Sequence, residues 1–447
     1  MTRIDGIIIL DAVGKPLISS HFSSHPLSYP SIHIDAFNHA SKKRVADEEL
    51  PPVLWVNTLS KIGMAGAALC HVQREGLNFL VPISEEVNPL FAFAFLDSFL
   101  ETLMEYLGEI TESNLKENFD IVYMLIEEML DEGHPLTMET NMLKEIVLPP
   151  SLMRKLLNVA GVSGMQTPTT APFTAPIPWR KPGTRHSTNE IYFDIEETVH
   201  AIIDKKGNTL ASQVRGRINC NSRLSGNPDL LLTFSNPKIM TNCAFHPCIR
   251  YNKWSRDSLL SFIPPDGKFN LLQYQVPTSI SPQLPVALKA QMKVVEKGGQ
   301  FSLTLSSRTN SRAVEDIVVS IYLGAATTSV SATATGDRRN HVGGKGDSTA
   351  EGWVGGGSWE FDPHTRTLKW TVSSLVAIER SPTLTGSFVS TDIQPIPSPS
   401  FSVHYTIPNH LFSDLKVNQL KVQGDVNYKP FKGVRTVAKA GKMEVRW

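Results

Sequence analysis

A Pro- and Thr-rich segment from Gln166 to Trp179 divides this 447-residue chain into two parts of different texture. Before it, apolar residues recur at helical spacing, and residues 1–175 carry 11 Lys and Arg against 22 Asp and Glu, a net charge of −11. After it, short β-like runs dominate, and residues 176–447 carry the other 32 basic residues against 21 acidic ones, a net charge of +11. We therefore expect two separately folded parts whose opposite charges favour different partners.

Residues 1–150 are predicted to form an α+β domain. β-like runs on either side of Val13-Gly14-Lys15 and of Arg74-Glu75-Gly76 indicate two hairpins, and Leu54–Val56 could add a strand. Strands followed by helices on one face are typical of the α+β class. From caps, Gly and Pro positions and apolar spacing, helices are predicted over Asp35–Glu48, from the Asn88 cap through Pro89 to Leu107, and from Ser113 or Asn114 to Gly133.

The remainder is predicted to be a flexible linker followed by an all-β, sandwich-like domain. The linker covers residues 151–185, and Thr167, which precedes a proline, would be exposed in it. Over residues 186–447, β-like runs recur from Ile191–Ile195 to Leu415–Val422 with no sustained helical period. Within this domain, the Gly-rich stretch Gly336–Gly357 is predicted to be a mobile loop.

Composition and motifs argue against several function classes. Four cysteines are too few for a disulfide framework, and the longest apolar stretch, Leu90–Leu107, carries three acidic residues, so no membrane span is expected. Cys243, His246 and Cys248 have the residue types of half a zinc site, but no second pair lies at matching spacing, although Cys220 could approach in space. No catalytic motif is found, so neither an enzyme nor a bound cofactor or metal is expected.

Basic residues concentrate near the end of the chain. A basic face that meets anionic lipid headgroups gains about 1 kcal/mol per residue near the surface, whereas aromatic residues interleaved for nucleic-acid binding are lacking. We therefore expect contacts with anionic membrane lipids rather than nucleic acid. The candidate residues are Lys416, Lys421, Lys429, Lys432, Lys439 and Lys442, with Arg435 and Arg446 in the same cluster.

Several stretches resemble the medium (mu) chains of adaptor protein complexes. The motifs are Asn189–Glu197 (NEIYFDIEE), Ser261–Phe269 (SFIPPDGKF) and Lys432–Arg435 (KGVR). The resemblance covers nearly the whole chain, with the first domain similar to a longin-type domain that ends in a helix over Ile110–Pro135. Within the family, Pro178–Arg180, Ala201–Lys205 and Pro430–Arg435 are most similar to the type-3 complex, which sorts cargo from Golgi or endosome to lysosome or vacuole.

The resemblance implies a non-enzymatic subunit of a heterotetrameric vesicle-coat adaptor. Its partners would be two large adaptor subunits and a small (sigma) subunit, with the longin-like domain against one large chain. The β domain, a mu-homology domain, would bind cytosolic cargo tails that carry Tyr-x-x-Φ, where Φ is a bulky apolar residue. The protein would act from the cytoplasm, at the periphery of Golgi and endosomal membranes and transport vesicles.

The same resemblance assigns candidate binding residues. Asp194 would accept a hydrogen bond from the cargo phenol, and Arg435 would stack on its ring or donate to its hydroxyl. Other medium chains carry Lys where Asn221 stands and Trp where Gly433 stands, so these two residues would thin the tyrosine pocket. The tyrosine pocket would comprise Tyr192, Asp194, Asn221 and Arg435, and the Φ pocket Ile191, Phe193, Val417, Leu420 and Val434.

Two other classes of function stay open at this point. The β domain could be a scaffold that holds coat or lipid contacts with a weak or degraded peptide pocket, because Asn221 and Gly433 depart from the family pattern. A zinc-dependent enzyme would rest on Cys243, His246 and Cys248 alone.

Overall fold

The computed structural model forms two compact units, Met1–Pro182 and Gly183–Trp447. The residues it describes are 3–22, 29–43, 50–56, 67–84, 87–150, 177, 179–181, 183–277, 284–309, 312–336, 356–376, 381–424 and 426–447. Thr167, nearly all of the predicted linker and most of the Gly-rich stretch 336–357 lie outside these residues.

The first unit contains a five-stranded antiparallel sheet in the order β2-β1-β5-β4-β3. Both predicted hairpins are present, and the turn between β4 and β5 places Gly76 at a φ of 78°, where a residue without Cβ is favoured. The strands are β1 (Gly6–Leu10), β2 (Pro16–His21), β3 (Val53–Val56), β4 (Ala67–Arg74) and β5 (Leu77–Ile83).

Of the three helices predicted for this unit, one has the predicted first and last residues and two do not. Helix α2 runs over Pro89–Leu107; the Asn88 side chain accepts from the Leu90 N–H, and Gly108 ends the helix at a φ of 81°. Helix α1 begins at Ser31, four residues before the predicted start, and is described to Lys43. The helices are α1 (Ser31–Lys43), α2 (Pro89–Leu107), α3 (Glu112–Glu117), α4 (Phe119–Met129) and α5 (Thr140–Ile146).

The helix predicted from Ser113 to Gly133 is wrong in two respects. It is divided at Asn118, which leaves helical geometry at φ −126° and donates from its side chain to the Asn114 carbonyl. It also ends at Met129, because Leu130 and Asp131 (β6) pair with His134 and Pro135 (β7) around a tight turn. Most of the predicted apolar stripe nevertheless lies in the core of the unit, although Phe119 is 57% exposed. Helix α5 follows the stretch Ile110–Pro135 that the resemblance gave as the final helix.

The second unit is built from three antiparallel or mixed sheets. A nine-stranded sheet has the order β11-β13-β9-β8-β23-β21-β16-β19-β18, a four-stranded sheet β14-β15-β20-β17, and a three-stranded sheet β12-β10-β22. The strands are β8 (Glu190–Ile203), β9 (Thr209–Arg223), β10 (Asp229–Phe234), β11 (Thr241–Phe245), β12 (Leu260–Phe262), β13 (Gly267–Val276), β14 (Val286–Val295), β15 (Gly298–Ser307), β16 (Val314–Tyr322), β17 (Thr327–Thr335), β18 (Ser358–Asp362), β19 (Thr367–Leu375), β20 (Thr383–Ser390), β21 (Ser400–Pro408), β22 (Val417–Gln423) and β23 (Phe431–Arg446).

The mainly β character of this unit is as predicted, but individual strands differ from expectation. Ile191–Ile195 and Val199–Ile203 are one continuous strand, β8, because alternation of buried and accessible residues persists through Glu196 and Thr198. Two of the longest strands, β9 and β23, are rich in Arg, Asn, Lys and Gly, so their sequences carry little apolar signal. A short helix, α6 (Tyr251–Asp257), and a 3₁₀ turn at Pro237–Ile239 add helical structure that was not predicted.

Among the described residues, no helix has both the length and the apolar character needed to span a membrane.

Candidate functional site

The predicted site residues lie where β8 pairs with the last strand of the chain. Strand β23 runs parallel to β8 from Phe431 onward, whereas β21 covers the other edge of β23 only as far back as Val437. The Asn409 N–H donates to the Thr436 carbonyl at 2.8 Å, and this bond closes the pairing on that side. Within the described part of the chain, no strand pairs with the outer edge of residues 431–435.

The backbone of this open edge is oriented by strand alternation. The Phe431 N–H donates to the Asn189 carbonyl, on the β8 side, while Thr436 accepts from the opposite side. Because successive residues of a strand turn their peptide groups to opposite sides, Lys432 and Val434 present N–H and C=O groups to the open edge. The edge is therefore a template on which an extended segment could pair.

The pairing brings all four predicted tyrosine-pocket residues, together with Gly433, onto one face. Asp194 stands beside Arg435, and Tyr192 stands between Asn221 on β9 and Gly433 on β23. Directly opposed residues in a sheet project from the same face, so all five line one surface. The Arg435 Nε donates to Asp194 Oδ1 at 2.9 Å, with 70% of the arginine and 47% of the aspartate side chain exposed.

Two further residues complete this surface. The Tyr192 hydroxyl donates to Glu190 Oε2 at 3.0 Å, and this bond, ahead of burial, raises the pKa of the Tyr192 phenol. The ring of Phe431 lies 5.7 Å from that of Tyr192, tilted by 48°. Sequence reasoning missed Glu190 and Phe431, although period-two alternation along NEIYFD and PFKGVR places both on the face of Asp194.

Gly433 has a steric role in this arrangement. A Cβ placed there would lie 2.5 Å from Cδ1 and 2.9 Å from Cε1 of Tyr192, so the ring rests over the glycine backbone. The Tyr192 ring therefore occupies space that a larger side chain at position 433 would take. Lys268 on β13 pairs with Asn221 on β9 and is exposed. It therefore places a cation one strand away from the asparagine.

Three of the predicted Φ-pocket residues, Ile191, Phe193 and Val434, lie on the opposite face of β8 and β23. Val434 is 49% exposed and stands opposite Phe193, which is buried with Ile191. Val417 and Leu420 belong to β22 of the three-stranded sheet and are half-buried. The Lys432 ammonium donates to the Leu420 carbonyl, which ties β22 to the open edge of β23.

The candidate lipid-contacting lysines are distributed over separate places. Lys439 pairs with Glu196 at 2.7 Å and Lys442 with Glu444 at 3.2 Å, both on β23. Lys432 contacts β22, and the three others are exposed. Lys416 directly precedes β22, Lys421 lies within it, and Lys429 lies ahead of β23.

The cysteine and histidine residues of β11 and the following loop are packed as structural groups. The Cys248 N–H donates to His246 Nδ1 at 3.0 Å, and burial raises the pKa of the Cys243 thiol to about 11. Among the described residues, no three His, Cys, Asp or Glu side chains are grouped closely enough to hold a metal ion.

A buried carboxylate supports the segment that leads into β22. Glu197, on β8, is fully buried and accepts from the Tyr274 hydroxyl at 2.7 Å, from the Ser413 N–H at 2.9 Å and from the Ser413 hydroxyl. The ring of Tyr274 lies over Gly216, where a Cβ would come within 2.1 Å of it. A charge is tolerated here because its acceptor sites are filled.

Comparison with known proteins supports both halves of the chain. Residues 177–447 match the adaptor complexes medium subunit family, and residues 3–150 match the clathrin adaptor complex small chain. The chain is 35% identical over 449 residues to the AP-3 complex subunit mu-1 of Gallus gallus and to that of Homo sapiens, covering 99% of this chain and all of each relative. It is also 38% identical over 386 residues to the AP-1 complex subunit mu of Diplobatis ommata, covering 85% of this chain and 87% of that protein.

Among structures, a homology model of the full-length AP-3 complex in an intermediate open conformation is similar in fold. The TM-score is 0.53 at 17% identity, with 99% of each chain covered. The expected fold class, a longin-like α+β region followed by a mainly β mu-homology domain, is thereby confirmed. The relatives are non-enzymatic adaptor-complex subunits, which agrees with the expectation that this chain is not an enzyme. The chain belongs to the adaptor complexes medium subunit family.

Proposed function

We propose that this medium subunit recognises Tyr-x-x-Φ sorting signals in the cytosolic tails of membrane cargo and sorts that cargo from Golgi or endosome to lysosome or vacuole. The observation that carries the proposal is the open edge of β23 at residues 431–435, with polar residues on one face and apolar residues on the other. A vesicle adaptor of the type-3 kind is supported by the AP-3 relatives.

The spacing of the signal follows from the geometry of a sheet edge. A cargo tail that adds to β23 as a strand would place successive side chains on alternate faces. Tyr and Φ are three residues apart, so their side chains would emerge on opposite faces. In the same way, Asp194 and Arg435 lie on one face of the sheet, and Val434 and the β22 residues lie towards the other.

On the polar face, the cargo phenol would meet charged groups that are already oriented. Among the described residues, Arg435 contacts Asp194 at Oδ1 through its Nε, which leaves Oδ2 to accept from a hydroxyl. The guanidinium could also stack on the cargo ring. Asn221 supplies no charge. The cations on that side of β8 include Arg223, on the same face of β9 and 3.4 Å from Glu190, and Lys268, opposite Asn221 on β13.

On the apolar face, the Φ side chain would enter between Val434 and the half-buried Val417 and Leu420. Phe193 and Ile191 form the buried floor below Val434 and Lys432. Each methylene that Φ buries there would contribute about 0.8 kcal/mol to binding.

The first unit offers surface for the other chains of a heterotetramer. Exposed apolar residues on its helices and hairpin would contact a large subunit, and we propose two large subunits and a small (sigma) subunit as partners, in line with the similarity to AP-3 complex chains. The exposed apolar residues include Leu90 at 71% and Met104 at 45% on α2, Phe119 at 57% and Met124 at 48% on α4, Val13 at 88% in the turn between β1 and β2, and Leu136 at 58% directly after β7. We also propose residues 1–150 as the core-binding domain, 151–185 as the linker and 186–447 as the cargo-binding domain.

Peripheral contact with anionic Golgi and endosomal membranes is part of the proposal. It is supported by the exposed Lys416, Lys421 and Lys429 around β22, close along the chain to the open edge of β23. Cargo tails emerge from the membrane, so lysines near the peptide site would face the same surface.

The test is a titration of the full chain with a Tyr-x-x-Φ peptide and its Tyr→Ala form. Peptides with Φ moved to Tyr-x-Φ or Tyr-x-x-x-Φ change the face on which Φ emerges and should bind at least tenfold more weakly, while the parent peptide binds at micromolar affinity. Equal affinity for all spacings would contradict strand addition at β23.

The scaffold function remains the second candidate, and one observation favours it. The Tyr192 hydroxyl already has a hydrogen-bond partner in Glu190, and the Tyr192 ring occupies the space over Gly433. If the folded chain binds none of these peptides while it still assembles with the large subunits, the scaffold function replaces cargo recognition.

A further inference from the structure

A lysine side chain bridges two strand edges on the Φ side of the proposed cargo site. Strand β22 pairs with β10 but, within the described part of the chain, not with β23. The Lys432 ammonium nevertheless reaches β22 and donates to the Leu420 carbonyl, so the gap between β22 and the open edge of β23 is one lysine side chain wide. Lys432 stands opposite Ile191 on β8, and its side chain therefore lies on the face of Val434, where Φ would enter.

This ammonium is held in position but keeps donors for a ligand. An ammonium has three N–H groups, and the Leu420 carbonyl accepts from one of them. Among the described residues, the Lys432 side chain has no second hydrogen-bond or ion-pair partner. Two donors therefore remain, and an ammonium that is already oriented loses less conformational freedom when a ligand binds.

The charge on both sides of the gap is positive. Strand β22 and residues 426–434 together carry three lysines, and these described segments contain no Asp or Glu. Asp229, at the end of β10, is paired with Arg250 at 2.6 Å. Glu190 projects from the other face of β8, where it accepts from the Tyr192 hydroxyl. A carboxylate placed in the gap would therefore meet a complementary charge that has no counter-ion there.

We propose that Lys432 selects cargo tails that present a carboxylate on the Φ side of the bound strand. The proposal rests on cargo recognition at the open edge of β23 and adds a preference that the Tyr-x-x-Φ pattern does not contain. A tail that ends at Φ carries its α-carboxylate on the backbone, within the gap that Lys432 spans, whereas a longer tail has a neutral peptide group there. In a longer tail, an acidic residue two positions beyond Φ projects on the face of Φ, and one directly after Φ projects on the other face.

The test compares four peptides that share one Tyr-x-x-Φ core, on the full chain. Two of them end at Φ, one as the free acid and one as the amide, and they isolate the α-carboxylate. The other two continue after Φ with Ser-Asp or with Asp-Ser and end as amides. These two have the same charge and composition and differ in the face on which the aspartate emerges. Fluorescence anisotropy measures the affinities, and thermal melting checks that each variant is folded.

Two variants assign the preference to one side chain. K432M removes the ammonium and keeps an aliphatic side chain beside Φ, and K289M removes an exposed ammonium of β14 as the matched control. In the unchanged chain, we expect the free acid to bind about threefold to tenfold more tightly than the amide, or Ser-Asp more tightly than Asp-Ser by that factor, because a hydrogen bond to a charged group gains more than an exposed ion pair alone. The preference should disappear in K432M and persist in K289M.

The ratios of affinity decide the outcome. A preference for the free acid alone supports the proposal with the end of the tail as the source of the carboxylate, and a preference for Ser-Asp alone supports it with an acidic side chain as the source. Ratios near one in the unchanged chain, or a preference that survives in K432M, overturn it. If none of the four peptides binds the folded chain, cargo recognition fails and this proposal with it, whereas equal binding of all four refutes the role of Lys432 alone.

Discussion

Arg435 and Asp194 lie 241 positions apart in the chain, and the Arg435 Nε donates to Asp194 Oδ1 at 2.9 Å. The parallel pairing of the last strand with the first strand of its unit creates this contact. The two residues form the polar rim of an otherwise open strand edge, and the pair is exposed enough that it adds little to stability. Its substitutions therefore report on binding.

We expect Asp194→Asn to weaken the binding of a Tyr-x-x-Φ peptide by about tenfold to a hundredfold, because a charge-assisted acceptor for the phenol is lost. Phosphorylation of the peptide tyrosine should abolish binding to the unchanged chain, since roughly two negative charges would face Asp194. Fluorescence anisotropy of labelled peptides measures both effects. Asp392→Asn, at an exposed position between β20 and β21, is the control. If phosphopeptide and plain peptide bind equally, Asp194 does not contact the cargo tyrosine.

Phe431→Ala should weaken binding of the tyrosine peptide by about threefold to tenfold, because an aromatic pair is worth about 0.5–1.5 kcal/mol beyond its buried area. Phe431 is 62% exposed and lies beside Tyr192. There its ring can supply the aromatic contact to the cargo tyrosine that Gly433 cannot make. Calorimetry with the tyrosine peptide and its Tyr→Ala form separates this effect from general loss of affinity. Tyr251→Ala, which removes an aromatic residue 60% exposed on α6, should leave binding unchanged. An equal loss for both peptides would place Phe431 outside the tyrosine pocket.

Glu197→Gln should lower the free energy of unfolding by about 2–4 kcal/mol, because an amide cannot accept all three hydrogen bonds that the carboxylate accepts from Tyr274 and Ser413. Urea denaturation followed by tryptophan fluorescence measures the change. Glu360→Gln alters a glutamate whose side chain is 73% exposed and should cost less than about 0.5 kcal/mol. Similar midpoints for the two variants would show that the buried network does not stabilise the fold.

The first unit should lose stability as pH falls through about 6.5. His33 is 4% exposed, its Nδ1 has no hydrogen-bond partner among the described residues, and desolvation lowers its pKa below 6.5. The unfolded chain therefore takes up a proton that the folded chain resists, so the contribution is present above pH 6.5 and is lost below it. Unfolding of the full chain measured between about pH 5 and pH 8 gives the slope.

His33→Gln should flatten that slope, since the side chain no longer titrates. Phe37→Leu, at a buried position of the same helix, is the matched control and should lower stability by the same amount at every pH. A slope that is the same in His33→Gln and in the unchanged chain would contradict the assignment.

Local chemistry in the sequence determined the elements whose boundaries depend on a few neighbouring residues. Asn88, Pro89 and Gly108 specify α2 because a cap acceptor, a residue without an N–H and a residue free to adopt positive φ satisfy the helix ends locally. Tyr192 and Asp194 were assigned to one pocket from the family resemblance, and alternation along β8 puts them on one face. The break at Asn118 was missed because the apolar stripe continues across it, so periodicity alone carries no sign of it.

Only the tertiary structure decided which residues of other strands lie beside Tyr192 and Asp194. Strand β23 carries Lys, Gly and Arg instead of an apolar pattern, and its position follows from pairing with β8 on one side and β21 on part of the other. That pairing sets Arg435 beside Asp194, lays Tyr192 over Gly433 and forms the bulge that places Lys442 against His200. Hydrogen bonds between strands are made by backbone groups that every residue possesses, so the sequence specified the strands' faces, while packing of the whole unit selected which strands meet and in which register.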